Sequence, residues 1–175
     1  MRVRPARLDD AGAIAAIYAP HVTDGVASFE MQAPDAAEIA RRIATARHPW
    51  LIAERDGTVA AYAYASPFGS RAAYRWAVET TIYVADAAQG RGAGRRLYTA
   101  LLNTLSALGF TQAVGRIALP NPASVALHEA LEFEQVGLHR RVGWKHGRWI
   151  DVGLWQRPLA RPLVPPPEPQ ASTAP

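Results

Sequence analysis

The fold is decided by residues 77–110, which read AVETTIYVADAAQGRGAGRRLYTALLNTLSALGF. The first eight of these residues are rich in β-branched and aromatic side chains, which predicts a strand. Farther along, leucines recur at helical spacing until Gly109, a residue typical of a helix end. Three glycines at alternate positions lie between the two patterns, so the segment is predicted to form a strand, a glycine turn and a helix.

The glycine turn, residues 89–96, is suited to holding an anion. Backbone N–H groups and the positive end of the following helix dipole can face a phosphate there, and Arg91, Arg95 and Arg96 add positive charge. A dinucleotide fingerprint would need a glycine in place of Arg95, and a P-loop would need Lys-Ser or Lys-Thr after its last glycine. The turn is therefore predicted to bind another phosphate-bearing ligand, with a plain connecting turn as the alternative.

The rest of the chain predicts an α/β fold with a mixed sheet. Helices are expected after Asp9 and from residue 35, and an Asp-Gly pair predicts a hairpin over residues 50–65. Residues 113–119 predict another strand. A short helix is expected from Asn121-Pro122 to Leu131, followed by a closing hairpin over residues 136–156.

Composition excludes several classes of protein. The 175 residues favour one domain, and the absence of cysteine excludes disulfides, thiolate metal sites and cysteine nucleophiles. No apolar run approaches the roughly 20 residues that span a bilayer, and the N-terminus lacks the pattern of a secretory signal, so a cytoplasmic location is expected. The net charge is +4, but Lys145 is the only lysine and the arginines are dispersed, so no nucleic-acid partner is predicted.

The last eighteen residues, 158–175, differ from the rest in composition. They hold seven of the fourteen prolines and few side chains that could pack. Such a sequence does not offset the entropy lost on ordering. A disordered proline-rich tail is therefore predicted after a folded domain of residues 1–157.

The Gln-x-x-Gly-x-Gly pattern of Gln89, Gly92 and Gly94 resembles the acetyl-CoA motif of the GNAT superfamily of N-acetyltransferases. Residues 61–156 more specifically resemble its phosphinothricin and methionine sulfoximine N-acetyltransferase branch. That resemblance rests on AVETTIYV before the turn, LPNPASVALHEALEF after it and GWKHGRWIDVGLWQ near the end. It implies a mixed, mostly antiparallel sheet, flanked by helices and splayed into a V between its central strands.

The resemblance also implies acetyl-CoA as the co-substrate, direct transfer to an amine, and no metal. Acetyl-CoA is expected to lie along the end of the first strand and on the glycine turn, with Asn121 near its pantetheine. The implied cofactor-binding residues are Ile82, Tyr83, Val84, Gln89, Gly90, Arg91, Gly92, Ala93, Gly94, Arg95, Asn121 and Ser124.

Glu79 is the leading candidate for the catalytic base. An amine is protonated at neutral pH, so a base must remove a proton before the amine attacks a thioester. Glu79 lies on the strand just before the glycine turn, where members of the resembled family place a glutamate as base or substrate anchor. A solvated glutamate, or one paired with a nearby arginine, is the alternative.

His128 is the second catalytic candidate. Asn121, Ser124 and His128 share one face of the short helix, apart from its leucines. Many superfamily members carry there a tyrosine that protonates the departing thiolate, whereas the resembled branch has a histidine, which exchanges protons near pH 7. A surface histidine with no task is the alternative, and the other four histidines are expected to be structural.

The resemblance assigns Phe29, Arg71, Tyr74 and Glu79 to the acceptor pocket. Acceptors of this branch carry a carboxylate, which suits the guanidinium of Arg71. It also implies a homodimer and a small-molecule amine as partner. Transfer to a protein N-terminus, a polyamine or an antibiotic remains open, as does a non-catalytic acyl-CoA-binding module. One departure is Glu132, which replaces the glycine usual at the end of the last helix and predicts a reshaped turn.

Overall fold

A computed structural model describes residues 1–161 and 163–172 of the protein. In these residues the helices are α1 (Ala11–Thr23), α2 (Ala36–Ala44), α3 (Ala93–Ala107) and α4 (Pro122–Glu129). The strands are β1 (Arg2–Pro5), β2 (Trp50–Arg55), β3 (Thr58–Pro67), β4 (Ala77–Val84), β5 (Gln112–Leu119), β6 (Glu134–Lys145) and β7 (Arg148–Pro158). No described helix combines the length and the apolar character that crossing a bilayer requires.

The strands form one sheet in the order β1-β2-β3-β4-β5-β7-β6. All neighbouring strands are antiparallel except β4 and β5, which are parallel. β4 and β5 pair through Ala77, Val78 and Glu79 alone, and in the described structure no pairing between them follows. The sheet therefore opens into a V beyond Glu79, and the predicted fold class is confirmed.

Helices cover both faces of this sheet. α3 buries Leu97, Leu101 and Leu105 on one face, whereas α1 and α2 bury Ile14 and Ile39 on the other. Successive residues of a strand point to opposite faces. Neighbouring residues of β4 and β5 therefore face different helices, which matters at the opening of the V.

Local signals in the sequence explain where several elements begin and end. The side chain of Asp35 caps α2 by accepting a hydrogen bond of 2.8 Å from the backbone N–H of Glu38. Asp56 and Gly57 have φ values of 51° and 77°, as the tight turn between β2 and β3 requires. Gly109 follows α3 with φ 89°. The first hairpin and the end of the long helix are thus confirmed.

Two details of the sequence prediction concern β1 and Glu132. β1 was not predicted, because its four residues are too few to show an alternating pattern, yet it pairs with β2. The predicted reshaping of the turn after α4 by Glu132 stays a prediction. This residue takes φ 63°, the left-handed conformation that favours glycine, and its carboxylate accepts a hydrogen bond of 3.0 Å from Arg157.

The described part of the tail lies against the domain. The indole N–H of Trp76 donates to the carbonyl of Pro167 at 2.7 Å, and Arg75 forms an ion pair with Glu168 at 2.6 Å. Gln170 donates its backbone N–H to the carbonyl of Leu108 at 2.8 Å. The predicted disorder of residues 158–175 stays a prediction, and residues 162 and 173–175 lie outside the described residues.

Candidate active site

A cleft of about 650 Å³, here called the large cleft, occupies the opening of the V. Its walls are the end of β4, the glycine turn with the start of α3, the middle of β5, and α4. A volume of this size suits a small-molecule ligand. The large cleft gathers these predicted residues: Ile82, Tyr83, Val84, Gln89, Gly90, Gly92, Ala93, Gly94, Arg95, Asn121, Ser124 and His128.

The glycine turn presents backbone rather than side chains to the large cleft. Gly90 and Gly92 have φ values of 69° and 77°, and a Cβ atom on either would meet nothing within 4 Å. Both glycines are therefore required by conformation and not by space. Gly92 is the N-cap of α3, so the first N–H groups of that helix lack intrahelical acceptors and face the turn.

A third glycine of the turn is required by close packing. A Cβ atom on Gly94 would lie 3.2 Å from Val84 on β4 and 3.4 Å from Leu127 on α4. Its absence lets the start of α3 approach both elements. The turn with its free N–H groups and Arg95 forms a cradle of the size and charge that phosphates need, so the residues present fit a nucleotide pyrophosphate.

Two residues of the predicted cofactor set do different work in the turn. The side-chain amide of Gln89 donates to Asp86 at 2.9 Å and so braces the short helical turn before the glycines. Arg91 is exposed and does not belong to the described lining of the large cleft. The predicted contact of Arg91 with the cofactor stays a prediction.

Glu79 lies at the point where β4 and β5 separate. Its Oε1 atom is 2.5 Å from Nη2 of Arg116, which stands on β5 beyond the last pair between the two strands. The side chain of Glu79 is 25% exposed and that of Arg116 is 52% exposed. Glu79 is thus paired with a nearby arginine, which was the alternative interpretation of this residue, and the pair reaches solvent.

Opposing effects act on the carboxyl group of Glu79. Burial raises the pKa of Glu79, while the charge of Arg116 and its hydrogen bond lower the pKa. Burial is the larger effect, so the pKa of Glu79 lies above its ordinary value. A carboxylate with a raised pKa is a stronger proton acceptor, which suits a general base.

His128 is buried, at 4% exposure, and both of its ring nitrogens are engaged. Nδ1 lies 2.8 Å from the carbonyl oxygen of Ser124, which only accepts, so Nδ1 carries the proton. In the neutral imidazole Nε2 then accepts from the hydroxyl of Tyr98 at 3.0 Å, and that hydroxyl lies 2.7 Å from Thr80. Burial lowers the pKa of His128, although the bond to Ser124 opposes this.

Asn121 has a structural task beside any contact with a ligand. Its side-chain oxygen accepts a hydrogen bond of 3.1 Å from the backbone N–H of Ser124, and Pro122 follows at the first helical position. Asn121 therefore caps α4. Both Asn121 and Ser124 line the large cleft, so the cap and a ligand contact are compatible.

A second space of about 260 Å³, here called the small cavity, adjoins the large cleft at Arg116. Phe29, Val142 and Val152 give it apolar walls, with Ala27, Ala118 and His139 beside them. Arg116 and Ala118 line both spaces, and so does Ala27. The small cavity thus opens onto the same end of the V that holds Glu79.

Phe29 is held by a loop, residues 24–35, that three elements fasten. The hydroxyl of Tyr18 on α1 lies 2.6 Å from Ser28, Arg42 on α2 binds Glu30 at 2.8 Å, and Lys145 on β6 donates to the carbonyl of Ser28 at 2.7 Å. Burial lowers the pKa of Lys145, with the charge of Glu30 opposing. These bonds fix the loop over the small cavity.

Phe29 also depends on a glycine of β6. A Cβ atom on Gly143 would fall on the ring of Phe29, so the ring rests where a side chain would otherwise stand. Phe29 lines the small cavity, and its predicted role in binding the acceptor stays a prediction.

Arg71 and Tyr74 are not brought to either space. Both are exposed, in the segment between β3 and β4, and Tyr74 packs edge-on against Phe68 with ring centroids 5.3 Å apart. Neither residue belongs to the described lining of the large cleft or the small cavity. Their role in acceptor binding stays a prediction that the geometry of the two spaces does not support.

Sequence reasoning missed Arg116, Tyr98 and His21. Arg116 is the one charged residue in the otherwise apolar strand AVGRIAL, a signal that could have marked it. Tyr98 lies inside the leucine pattern of α3 and carried no signal. His21 packs on Tyr83 with ring centroids 4.8 Å apart and lines the large cleft, so it is not merely structural in position.

Among the described residues, no three histidine or carboxylate side chains lie together as ligands for a metal ion. The prediction of a reaction without metal stays a prediction.

Comparison with known proteins identifies the family. The sequence pattern of the Acetyltransferase (GNAT) domain matches residues 3–154. The chain belongs to the GNAT acetyltransferases. It is 42% identical to phosphinothricin N-acetyltransferase of Streptomyces viridochromogenes, covering 95% of this chain and 92% of that protein. It is 45% identical to phosphinothricin N-acetyltransferase of Alcaligenes faecalis, covering 90% and 82%.

A solved structure agrees with this family. A GNAT superfamily phosphinothricin acetyltransferase from Sinorhizobium meliloti, in complex with AcCoA, is 42% identical with a TM-score of 0.87. The match covers 91% of this chain and 88% of the other. The predicted family is confirmed, and this GNAT chain is an acetyltransferase with acetyl-CoA as co-substrate.

Proposed function

We propose that this GNAT enzyme transfers an acetyl group from acetyl-CoA directly to the amine of a small amino-acid-like acceptor, of the phosphinothricin or methionine sulfoximine type. The observation that carries the proposal is the position of Glu79. Its carboxylate stands where the sheet opens, in contact with Arg116, which is the charged residue among those that line both the large cleft and the small cavity. Glu79 is not in the described lining of either space, and it is connected to both through its contact with Arg116.

The large cleft supplies the groups that acetyl-CoA needs. The first N–H groups of α3 and the guanidinium of Arg95 would hold the pyrophosphate, with Arg91 and Arg96 adding charge from outside the cleft. Asn121 would contact the pantetheine, and N–H groups on the open side of β4 would polarise the thioester carbonyl. Bound acetyl-CoA would supply an activated acetyl group: the C–N bond forms, the thioester C–S bond breaks, and the departing CoA thiolate takes up one proton to leave as the thiol.

Glu79 has the task of taking a proton. The ammonium form of the acceptor has no lone pair, so it must lose a proton before or during attack. The carboxylate of Glu79 accepts this proton, directly or through one water, and releases it to solvent after the reaction. The raised pKa of Glu79 favours this step, and the charge of Arg116 opposes protonation of Glu79 beforehand.

The role proposed for His128 is narrower. Its Nε2 atom is an acceptor held by Tyr98, so a proton reaches it only if that hydroxyl gives way. We assign His128 to proton movement on the face of the sheet opposite Glu79, with Tyr98 and Thr80 as its partners. Nδ1 of His128, which is hydrogen-bonded to the carbonyl oxygen of Ser124, is assigned no role in this proton movement.

The proposal is tested by measuring the release of CoA thiol with a panel of amines. Phosphinothricin, methionine sulfoximine and methionine sulfone are expected to give the highest kcat/KM, above common amino acids and well above polyamines. A panel in which only polyamines or peptides release CoA would contradict the proposed acceptor. It would leave the family intact.

Two further expectations belong to this proposal. The outer strands β6 and β7 expose Val136, Leu138, Val142, Trp144 and Trp149, an apolar surface that supports the predicted homodimer. Sedimentation of the purified enzyme is expected to give the mass of two chains. We also retain the cytoplasmic location and the absence of a nucleic-acid partner that the sequence predicts.

A further inference from the structure

The pair of Glu79 and Arg116 carries an inference about how the acceptor is recognised. Arg116 is the one lysine or arginine in the described lining of the small cavity, and it also lines the large cleft. Its contact with Glu79 is the only ion pair or hydrogen bond that its side chain makes within the described residues. Most of the five guanidinium donors are therefore available to a ligand.

The exposure of the pair allows the two side chains to change partners. An ion pair that reaches solvent contributes little stability, so a ligand that offers an equivalent charge can replace either member. A ligand that replaced only one member would leave the other charge unpaired. A ligand carrying both charges side by side satisfies Glu79 and Arg116 together.

We propose that Arg116 is the receptor for the α-carboxylate of the acceptor, and that an α-amino acid exchanges into the Glu79–Arg116 pair with its ammonium on Glu79 and its carboxylate on Arg116. This inference rests on the proposed function and names the acceptor class more closely. Because Glu79 and Arg116 touch, a ligand that binds both must carry its ammonium and its carboxylate close together. The two groups are close in an α-amino acid, where one carbon atom separates them. A phosphinate or sulfoximine group farther along the acceptor does not meet this condition.

The small cavity adds the side-chain site of the same acceptor. Phe29, Val142 and Val152 provide apolar walls next to Arg116, which suits the methylene groups of a methionine-like side chain. A polyamine would place a second cation near Arg116 and is therefore disfavoured. The exchange also couples binding to catalysis, because the carboxylate that occupies Arg116 frees Glu79 to receive the proton of the ammonium.

The experiment compares two acceptors in matched enzymes. L-methionine sulfone and its primary amide share the amine and the side chain and differ only in the carboxylate. The wild type is expected to favour the acid over the amide in kcat/KM by about tenfold or more, as a charge-assisted hydrogen bond provides. In Arg116→Gln this ratio is expected to fall close to one, and Arg116→Lys is expected to give an intermediate ratio.

Arg55→Gln is the matched control, because Arg55 is also an exposed arginine next to an acidic residue but lies at the hairpin between β2 and β3. Its ratio should equal that of the wild type. Arg71→Gln tests the competing residue, and its ratio should change less than that of Arg116→Gln. Melting temperatures are measured for all variants, and the Kd of acetyl-CoA is expected to stay unchanged in Arg55→Gln and Arg71→Gln.

The outcomes separate this inference from the proposed function. The role of Arg116 is wrong, and the proposed function stands, if the wild type acetylates methionine sulfone but Arg116→Gln and Arg116→Lys keep the wild-type preference for the acid over the amide. The same conclusion follows if Arg71→Gln is the only variant that abolishes this preference. If the wild type prefers the amide, the inference is also overturned. If the wild type acetylates no amino-acid-like amine, the proposed function itself fails.

Discussion

The large cleft and the small cavity adjoin each other, yet they are built in different ways. The end of the large cleft proposed for the phosphates is made by backbone from one short segment, the glycine turn and the first turn of α3. The small cavity is made by side chains from loop 24–35, β5, β6 and β7, which are far apart in sequence. A backbone cradle tolerates most side-chain changes, whereas a cavity of side chains changes with each of them. Cofactor binding should therefore be robust and acceptor choice adjustable.

The largest expected effect concerns Glu79, which contacts Arg116 where the two spaces meet. Glu79→Gln keeps the size of the side chain but removes the proton acceptor, so kcat/KM should fall by about 10²- to 10⁴-fold. The Kd of acetyl-CoA, measured by calorimetry, should not change. Glu134→Gln, an exposed glutamate at the start of β6, serves as the control. Unchanged turnover in Glu79→Gln would show that another group is the base.

A substitution in the glycine turn should affect the cofactor alone. Gly92→Ala places a Cβ atom at φ 77°, which is unfavourable by about 1–2 kcal/mol, so the Kd of acetyl-CoA should rise by roughly tenfold. The KM of the acceptor should hardly change.

Gly12→Ala is the control for this substitution. It lies in α1 with nothing within 4 Å of its added Cβ, and it should stabilise the protein by about 0.5–1 kcal/mol. A rise of the acceptor KM in Gly92→Ala, as large as that of the cofactor Kd, would contradict the separation of the two spaces.

A glycine substitution next to the small cavity should affect the acceptor alone. In Gly143→Ala the added methyl group displaces the ring of Phe29, and because overpacking costs ~1–3 kcal/mol the KM of the acceptor should rise about fivefold or more. Steady-state kinetics at saturating acetyl-CoA measures this. Gly137→Ala on the same strand meets its nearest atom, on Leu154, at 3.4 Å and should leave KM unchanged. Equal effects in both variants would argue for a general disturbance of β6.

The smallest expected effect is a shift in pH dependence. Arg116 lowers the pKa of Glu79, so Arg116→Gln should raise that pKa further. Glu79 is then protonated at a higher pH, so the acidic limb of the plot of kcat/KM against pH should shift to higher pH. Arg55→Gln should leave the limb in place. A limb that moves downward would mean that Arg116 does not act on Glu79 through its charge.

The difference between the two spaces also explains what the sequence could predict. The strand, the glycine turn and α3 are contiguous, so their spacing alone indicated a phosphate site, and the family resemblance indicated acetyl-CoA. The place of Glu79 was predicted in the same way, because it precedes the turn on the same strand.

The small cavity could not be predicted to the same depth. Arg116 reaches Glu79 only because β4 and β5 separate after three pairs, and no local pattern encodes where a pairing stops. The engagement of His128 by Tyr98 likewise depends on how α3 and α4 pack together. Arg71 and Tyr74 were assigned by resemblance, and the structure leaves them outside both spaces.

The early end of the pairing between β4 and β5 has one more consequence, for the protein without ligand. Beyond Glu79, the edge of β4 on the side of β5 has no strand partner in the described structure, and natural proteins ordinarily cover such edges because they invite association with other chains. The amide groups of a bound pantetheine would cover this edge as a short extra strand does. Acetyl-CoA bound in this way would be part of the scaffold as well as a reactant, and enzyme stored with it should resist aggregation better than enzyme stored without it.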